Sequence, residues 1–192
     1  MRSKYLDVIE QHGAVLAKMP PLADAVVQAA ELVTDALKKG GRVLFCGNGG
    51  SAADAQHLAA EFTGRFLFDR RPLDAQALHC DTSALTAVGN DYGFENVFVR
   101  QVMAHGRPGD VLVGLSTSGN SRNVIKAFET AETMDIRTIG LTGAQGRAMS
   151  RADILIAVPS SHTPRIQEMH IMLGHILCEI VEEALCGAAA SG

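Results

Sequence analysis

The chain has 192 residues, enough for one α/β domain with a sizeable core and too few for two full catalytic domains. Hydrophobic residues make up 47% and charged residues 20%, which is typical of a folded globular protein and too apolar for a disordered one. The formal net charge of -4 argues against a nucleic-acid-binding surface, so no nucleic-acid partner is expected.

The amino-terminal segment Met1–Glu10 carries acids before any apolar run can form, and no stretch is apolar enough to span a bilayer. We therefore expect neither an export signal nor a membrane anchor. The four cysteines are scattered without C-x-x-C spacing; they are Cys46, Cys80, Cys178 and Cys186. This favours reduced thiols in a cytoplasmic protein over a disulfide framework or a thiolate zinc site.

In chain order, the sequence predicts one α/β domain over residues 1–192, beginning with helices over about 1–40. Apolar residues recur at helical spacing from Leu22 to Leu37, and Gly40-Gly41 end that run. Short runs rich in Val, Ile and Leu predict the buried strands of a mainly parallel sheet separated by helices. The four clear runs are Arg42–Cys46, Asp110–Leu115, Arg137–Leu141 and Asp153–Val158, and Ala75–His79 is a weaker fifth.

The long helix predicted over Thr163–Cys186 is apolar on most of its circumference. Such a helix is usually buried on several sides, so we expect it and the N-terminal helices to lie in the core of an oligomer. Gln167, Glu168, His170 and His175 are embedded in this apolar helix and need partners. For His170 a hydrogen-bonded core histidine is the preferred interpretation.

Two strand exits resemble each other and should meet at the carboxyl edge of the sheet. Gly47-Asn48-Gly49-Gly50-Ser51 follows the first strand, and Ser116-Thr117-Ser118-Gly119-Asn120-Ser121 follows the run Asp110–Leu115. Hydroxyls and free N–H groups before a helix can surround a phosphate, although Ser and Asn also form ordinary helix caps. Three hydroxyls in a row and a Gly exceed what a cap requires, which favours anion binding.

His57 and Glu61 lie four residues apart in the helix after the glycine-rich loop and so share one face. Such a pair could move protons or hold a metal near a sugar, or could be a surface i,i+4 pair. The neighbouring glycine-rich loop favours the functional interpretation. That loop also matches a loose G-x-G-x-x-A pattern, which raises a dinucleotide-binding alternative. Asp81 lies too far along the chain to serve as the expected acid.

The motifs in combination resemble the phosphoheptose isomerases of bacteria, over about residues 42–186. The matching segments are Cys46–His57, Glu61–Arg65, Gly89–Gly93, Ser116–Ser121 and Arg165–Cys178. The resemblance implies a three-layer, flavodoxin-like SIS domain, a homotetramer with sites at subunit interfaces, and zinc as cofactor. It also implies conversion of sedoheptulose 7-phosphate to D-glycero-D-manno-heptose 7-phosphate, in the supply of heptose for the lipopolysaccharide core.

Residue by residue, the resemblance implies that Glu61 and His175 are the proton-transfer pair and that His57, Glu61, Gln167 and His175 are zinc ligands. Gln167 and His175 are eight residues apart, roughly 12 Å along a straight helix, so both reach one metal only by leaning together or from different subunits. The implied substrate contacts are Asn48, Gly49, Gly50, Ser51, Glu61, Asn90, Asp91, Ser116, Thr117, Ser118, Ser121 and Gln167. From the residues alone, Asn90-Asp91 could equally form a turn.

One departure from the family pattern precedes the last helix. Relatives often carry an Asp shortly before the R-I-Q-E segment, where this chain has Ser161-His162-Thr163-Pro164. Two alternatives within the same fold are a non-catalytic module that binds a phosphosugar or the bacterial replication initiator, and an isomerase of another sugar phosphate. The presence of both Glu61 and His175 favours an enzyme.

Overall fold

A computed structural model describes residues 1–187 and contains a five-stranded sheet with helices on both faces. The last five residues of the predicted domain, 188–192, lie outside the described residues. The strands are β1 Val43–Gly47, β2 Ala75–Ala77, β3 Val111–Ser116, β4 Arg137–Gly143 and β5 Ile154–Val158. The helices are α1 Arg2–Leu16, α2 Ala23–Lys38, α3 Gly50–Thr63, α4 Thr82–Tyr92, α5 Val97–His105, α6 Arg122–Thr133 and α7 Thr163–Cys186, with 3₁₀ turns at Pro20–Leu22, Phe94–Asn96 and Arg147–Arg151.

The strand order is β2-β1-β3-β4-β5, and every neighbouring pair is parallel. This is the flavodoxin-like order, so the predicted α/β class is confirmed and the mainly parallel sheet is parallel throughout. The direction of winding reverses between β1 and β3. In open sheets of this kind ligands bind outside the carboxyl ends of the strands at that reversal, which is where the two predicted loops lie.

The sheet is buried on both faces because its strands are apolar at successive positions. Val43 and Phe45 of β1 contribute to the core beneath α2, α3 and α7. Leu44 and Cys46 face the other way and pack in the core beneath α5 and α6. All residues of β1 and β3 are buried, as expected for central strands between two helical layers.

The predicted elements are found with small shifts at their ends. The bounds of α7 are those predicted, and Ala75–His79 shortens to the edge strand β2. The N-terminal helices predicted over about 1–40 are α1 and α2. None of the helices within residues 1–187 combines the length and apolar character that a bilayer span requires.

Candidate active site

The loop after β3 brings three serine hydroxyls together. Ser116 Oγ lies 2.8 Å from Ser121 Oγ and 3.4 Å from Ser118 Oγ. Helix α6 begins one residue later at Arg122, and the Ser121 side chain does not cap it. The first N–H groups of a helix have no partner within the helix, and its dipole favours a negative charge there. The structure thus brings the serine hydroxyls together at a helix N-terminus, the arrangement on which the predicted anion binding depends.

The same loop packs tightly on the segment after β4. Gly119 has φ +65°, and a Cβ at this position would lie 2.4 Å from the carbonyl oxygen of Gly146, so glycine is required there. A cleft of about 390 Å³ lies beside this contact. Its polar lining includes Thr117, Ser118, Asn120, Gln145, Arg147 and Ser160.

Arg147 is an anion-binding candidate that the sequence analysis missed. It is the charged residue in the lining of the cleft, and it is exposed. Its φ of 47° is unusual for a residue other than glycine, and such conformations cluster at functional sites. No local pattern around Arg147 signals this placement. It depends on the turn after β4 meeting the serine loop.

The loop after β1 is tied to the start of α6 by a pair of side-chain amides. Asn48 Nδ2 donates to Asn123 Oδ1 at 2.9 Å, and Asn123 Nδ2 donates to Asn48 Oδ1 at 2.8 Å. Asn123 is buried, with 3% of its surface exposed. Asn48 is among the predicted substrate contacts, whereas the sequence analysis assigns no role to Asn123. The structure adds a crosslink between the two loops at the reversal point.

Helices α3 and α7 run parallel and in close contact beside these loops. A Cβ on Gly50, the first residue of α3, would lie 2.4 Å from Gln167 Nε2, so this glycine makes room for the glutamine. Further along the pair, a Cβ on Gly174 would lie 2.5 Å from the Leu58 side chain. Ser51, the second residue of α3, is buried.

The far end of this helix pair brings the predicted proton-transfer residues together. His57 Nε2 lies 2.9 Å from His175 Nε2 and 3.3 Å from Glu61 Oε1. The His175 ring is also 5.6 Å from the ring of Phe66, counted between centroids. Side-chain exposure is 47% for His57 and 21% for Glu61, so the cluster is reachable from solvent. One imidazole from α7 and a carboxylate and an imidazole from α3 thus share one small space.

Asp54 adds a second carboxylate that the sequence analysis did not single out. Its Oδ2 atom is buried and has no hydrogen-bond partner within residues 1–187. Burial raises the pKa of the Asp54 carboxyl, and the electrostatic influence of the neighbouring His57 and His175 opposes that rise. Asp54 lies one turn before His57 on α3, so its position on this face could have been read from the helical period.

Three other positions that the sequence singles out lie outside this cluster. Asn90 and Asp91 are in the last turn of α4, where Asn90 Nδ2 donates to Asp91 Oδ1 at 2.8 Å, and both are exposed. They are helical, and the turn is made by Gly93, with φ 84°. His162 occupies the position before α7, is exposed and makes no side-chain cap.

Comparison with known proteins assigns the family. The sequence-family model of the SIS domain matches residues 5–143. A phosphoheptose isomerase of Rhodospirillum rubrum is 62% identical over 165 residues, covering 85% of this chain and 88% of the relative. That of Akkermansia muciniphila is 52% identical over 188 residues, covering 97% of each. The solved phosphoheptose isomerase GmhA of Neisseria gonorrhoeae superposes with a TM-score of 0.90 at 47% identity, over 95% of this chain and 98% of that one.

The chain belongs to the phosphoheptose isomerase family of SIS-domain proteins. It is therefore a sugar-phosphate isomerase, and the expectation of an enzyme is confirmed. The dinucleotide-dependent alternative and the non-catalytic module both give way to this assignment. Membership supports the fold expectation as well, since the solved relative from Francisella tularensis also superposes, with a TM-score of 0.86 at 38% identity over 95% of this chain and 96% of that one.

The residues predicted to hold zinc in a phosphoheptose isomerase fit the ion by chemistry, and three of them are neighbours. His57, Glu61 and His175 offer two imidazole nitrogens and a carboxylate, which are common zinc donors. Within residues 1–187, however, no three His, Cys, Asp or Glu side chains form a ready metal-binding group. Gln167 contacts Gly50, seven residues before His57 and so about 10 Å away along α3.

Proposed function

We propose that this enzyme converts sedoheptulose 7-phosphate to D-glycero-D-manno-heptose 7-phosphate through an enediol. The observation that carries the proposal is the cluster in which Glu61 and His175, from separate helices, both contact His57. A base and an acid held in one cluster are what an aldose–ketose isomerisation requires. The names of the relatives, phosphoheptose isomerases, support a seven-carbon phosphosugar as substrate.

The serine loop would bind the phosphoryl group. Its hydroxyls converge at the start of α6, and the exposed Arg147 in the adjoining cleft can partly neutralise the charge of the phosphate.

Proton movement would then follow from the roles of the two side chains. The Glu61 carboxylate removes the proton from C1 of the ketose while the His175 imidazolium donates a proton to the carbonyl oxygen at C2, which gives the enediol. Glu61 returns its proton to C2, and His175 takes the hydroxyl proton from O1 to form the aldehyde. The sum is a transfer of hydrogen between neighbouring carbons without an external oxidant.

Zinc is part of the proposal, with His57, Glu61 and His175 as ligands and Gln167 coming from a second copy of the chain. When bound, the ion would polarise the substrate oxygens and stabilise the enediolate. A carboxylate bound to zinc is a weaker base, so Glu61 would serve one role at a time. We further propose a cytoplasmic homotetramer that provides the first intermediate of ADP-heptose supply for the lipopolysaccharide core.

The test is turnover of a panel of ketose phosphates by purified protein, with and without chelator and added zinc. Sedoheptulose 7-phosphate should give the highest kcat/KM, in line with the names of the relatives. Glu61→Gln and His175→Gln should each lower kcat at least about 100-fold, in line with the contribution of general acid–base catalysis.

The control is Glu129→Gln, which removes an exposed carboxylate on α6 that pairs with Arg151. It should leave kcat unchanged. Near-normal rates in folded Glu61→Gln and His175→Gln variants would remove the proposed mechanism. A preference for another ketose phosphate would retain the mechanism and reassign the substrate.

A further inference from the structure

A buried ion pair lies behind the catalytic cluster, outside the groups assigned above. Arg70 Nε donates to Glu182 Oε1 at 2.7 Å, and the two side chains are only 4% and 1% exposed. Arg70 lies in the loop between α3 and β2, and Glu182 lies on α7, 112 residues away in the chain. Burying two charges is costly unless every polar atom finds a partner, so the partners of this pair are informative.

The Glu182 carboxylate fixes the loop that follows α3. It accepts hydrogen bonds from the backbone N–H groups of Phe66, Leu67 and Phe68, at 2.9, 2.6 and 3.1 Å. These bonds and the nearby Arg70 lower the pKa of Glu182, although burial alone would raise it. The Glu182 carboxylate therefore fixes the backbone of residues 66–68 to α7 through three successive N–H groups.

The Arg70 guanidinium fixes the end of α3. Its Nη2 donates to the carbonyl oxygen of Glu61 at 2.8 Å, and its Nη1 donates to those of Phe62 and Gly64 at 2.8 and 3.2 Å. The last carbonyls of a helix lack partners within the helix, and a cation is favoured there. Arg70 thus caps the turn that carries the proposed catalytic carboxylate.

Both halves of the pair therefore act on the catalytic cluster. Glu182 stands seven residues, or two turns, beyond His175 on α7, and it anchors Phe66, whose ring lies against the His175 ring. Arg70 anchors the backbone of Glu61. We infer that Arg70 and Glu182 are positioning residues for the isomerisation, holding the Glu61 carboxylate and the His175 imidazole in one arrangement. This inference rests on the proposed catalytic roles of Glu61 and His175.

The experiment compares Glu182→Gln with the wild-type enzyme well below the melting temperature of either. The neutral amide keeps the shape of the side chain but cannot accept four hydrogen bonds as a carboxylate does. We expect kcat to fall about 10- to 100-fold with KM within about twofold, because small displacements of a catalytic group cost rate rather than binding. With substrate deuterated at C1, the isotope effect on kcat should increase, since removal of that hydrogen becomes slower.

A purely structural role would give a different result, which Asp153→Asn illustrates. Asp153 accepts hydrogen bonds from the backbone and hydroxyl of Thr138 and pairs with Arg137, at the opposite edge of the sheet. This variant should lower the melting temperature while leaving kcat per folded enzyme and the isotope effect unchanged. If Glu182→Gln behaves in the same way, the positioning role is wrong.

Arg70→Lys provides a second route in case Glu182→Gln does not fold. Lysine keeps the charge beside Glu182 but lacks the planar fork that reaches the α3 carbonyls, so the same loss of kcat is expected. Wild-type rates in folded Arg70→Lys would overturn the inference. A failure of the positioning inference can be told apart from a failure of the proposed function. The proposed function fails if the wild-type enzyme does not turn over sedoheptulose 7-phosphate or if Glu61→Gln keeps a near-normal rate.

Discussion

Two histidines on α7, five positions apart, have opposite environments. His175 lies beside His57 in the accessible cluster, whereas His170 is fully buried and its Nε2 donates to the carbonyl oxygen of Thr142 at 3.2 Å. The expectation of a hydrogen-bonded core histidine at position 170 is thus confirmed. Burial lowers the pKa of His170 to about 4, so the ring is neutral at the pH at which the enzyme would work.

This burial predicts a pH dependence of stability. The ordinary value of 6.5 applies to the unfolded chain and about 4 to the folded one, so the unfolded chain binds the proton more readily. Above pH 6.5 His170 is neutral in both states, so it costs the folded state nothing. As the pH falls from 6.5 towards 4, the unfolded chain binds a proton at His170 that the folded state does not, and the folded state loses stability. At pH 5 the loss of unfolding free energy is about 2 kcal/mol. His170→Gln should remove this contribution.

The measurement is urea unfolding of both proteins at equal concentration, at pH 7 and pH 5. Other groups titrate alike in the two proteins, so the difference between their pH dependences isolates His170. The variant is expected to be less stable at pH 7, where its lost packing dominates, and to fall less steeply on acidification. Parallel pH dependences would contradict a neutral, buried His170.

At the level of elements, the site depends on how the loops after β1 and β3 are held together. The reciprocal amide bonds of Asn48 and Asn123 join the loop after β1 to the first turn of α6, which directly follows the serine loop. Ser116 and Ser121, whose hydroxyls are 2.8 Å apart, lie just before that turn, and Gly50, which makes room for Gln167, lies just after Asn48. The glycine-rich loop and the serine loop are therefore mechanically coupled.

Removal of this link should weaken binding more than catalysis. In Asn123→Ala the Asn48 amide loses both partners, which should lower the free energy of unfolding by about 1–3 kcal/mol. KM for the phosphosugar should rise several-fold, because the loops proposed to bind the phosphate are no longer fixed, while kcat changes less. Steady-state kinetics and thermal unfolding measure these effects.

Gln101→Ala is the matched control, since the buried Gln101 on α5 also donates a side-chain amide hydrogen bond, to the carbonyl oxygen of Leu78, and neither residue belongs to the two loops. It should affect stability without a change in KM. An unchanged KM in Asn123→Ala, despite lost stability, would show that the amide pair has no part in binding.

The helices and strands could be predicted from the sequence because the patterns that indicate them lie within short stretches of the chain. Buried strands such as β1 and β3 are continuous apolar runs, and glycines and serines mark their exits. The loops at the carboxyl edge followed from parallel pairing alone. The side chains that complete the site could not be predicted in this way. Arg70 and Glu182, and likewise Asn48 and Asn123, meet only through tertiary packing, and no spacing in the sequence links them.

The same limit applies to the predicted zinc set. His57 and Glu61 share a helical face, which the period of the helix predicts. The meeting of His57 with His175 depends on the parallel contact of α3 with α7, where Gly174 allows close approach. That contact also places Gln167 at the other end of the pair. The helical spacing of Gln167 and His175 had already indicated this separation.

For the whole molecule, the N-terminal helices and α7 leave an apolar groove uncovered. It has a volume of about 520 Å³ and is lined by Leu16, Met19, Pro20, Leu22, Ala23, Val26, Val27, Met172, Leu173, Ile176 and Ile180. Val27 and Ile176 remain 45% and 37% exposed. Helix α1 has no buried residue of its own. Exposed apolar patches of this kind mark association surfaces, in line with the oligomer expected around α7.

A charge in this groove should therefore dissociate the proposed homotetramer. Ile176→Glu places a carboxylate between apolar surfaces, where it would be desolvated without a partner, so association becomes unfavourable. Sedimentation velocity at micromolar concentration should show a smaller species than the wild-type chain. If zinc requires Gln167 from a second copy, the variant should also retain less zinc after dialysis.

Met103→Glu is the control, because Met103 is 58% exposed on α5 in the opposite layer, and it should leave the sedimentation unchanged. Equal sedimentation of folded Ile176→Glu and wild type would mean that the groove is not the surface through which the copies associate.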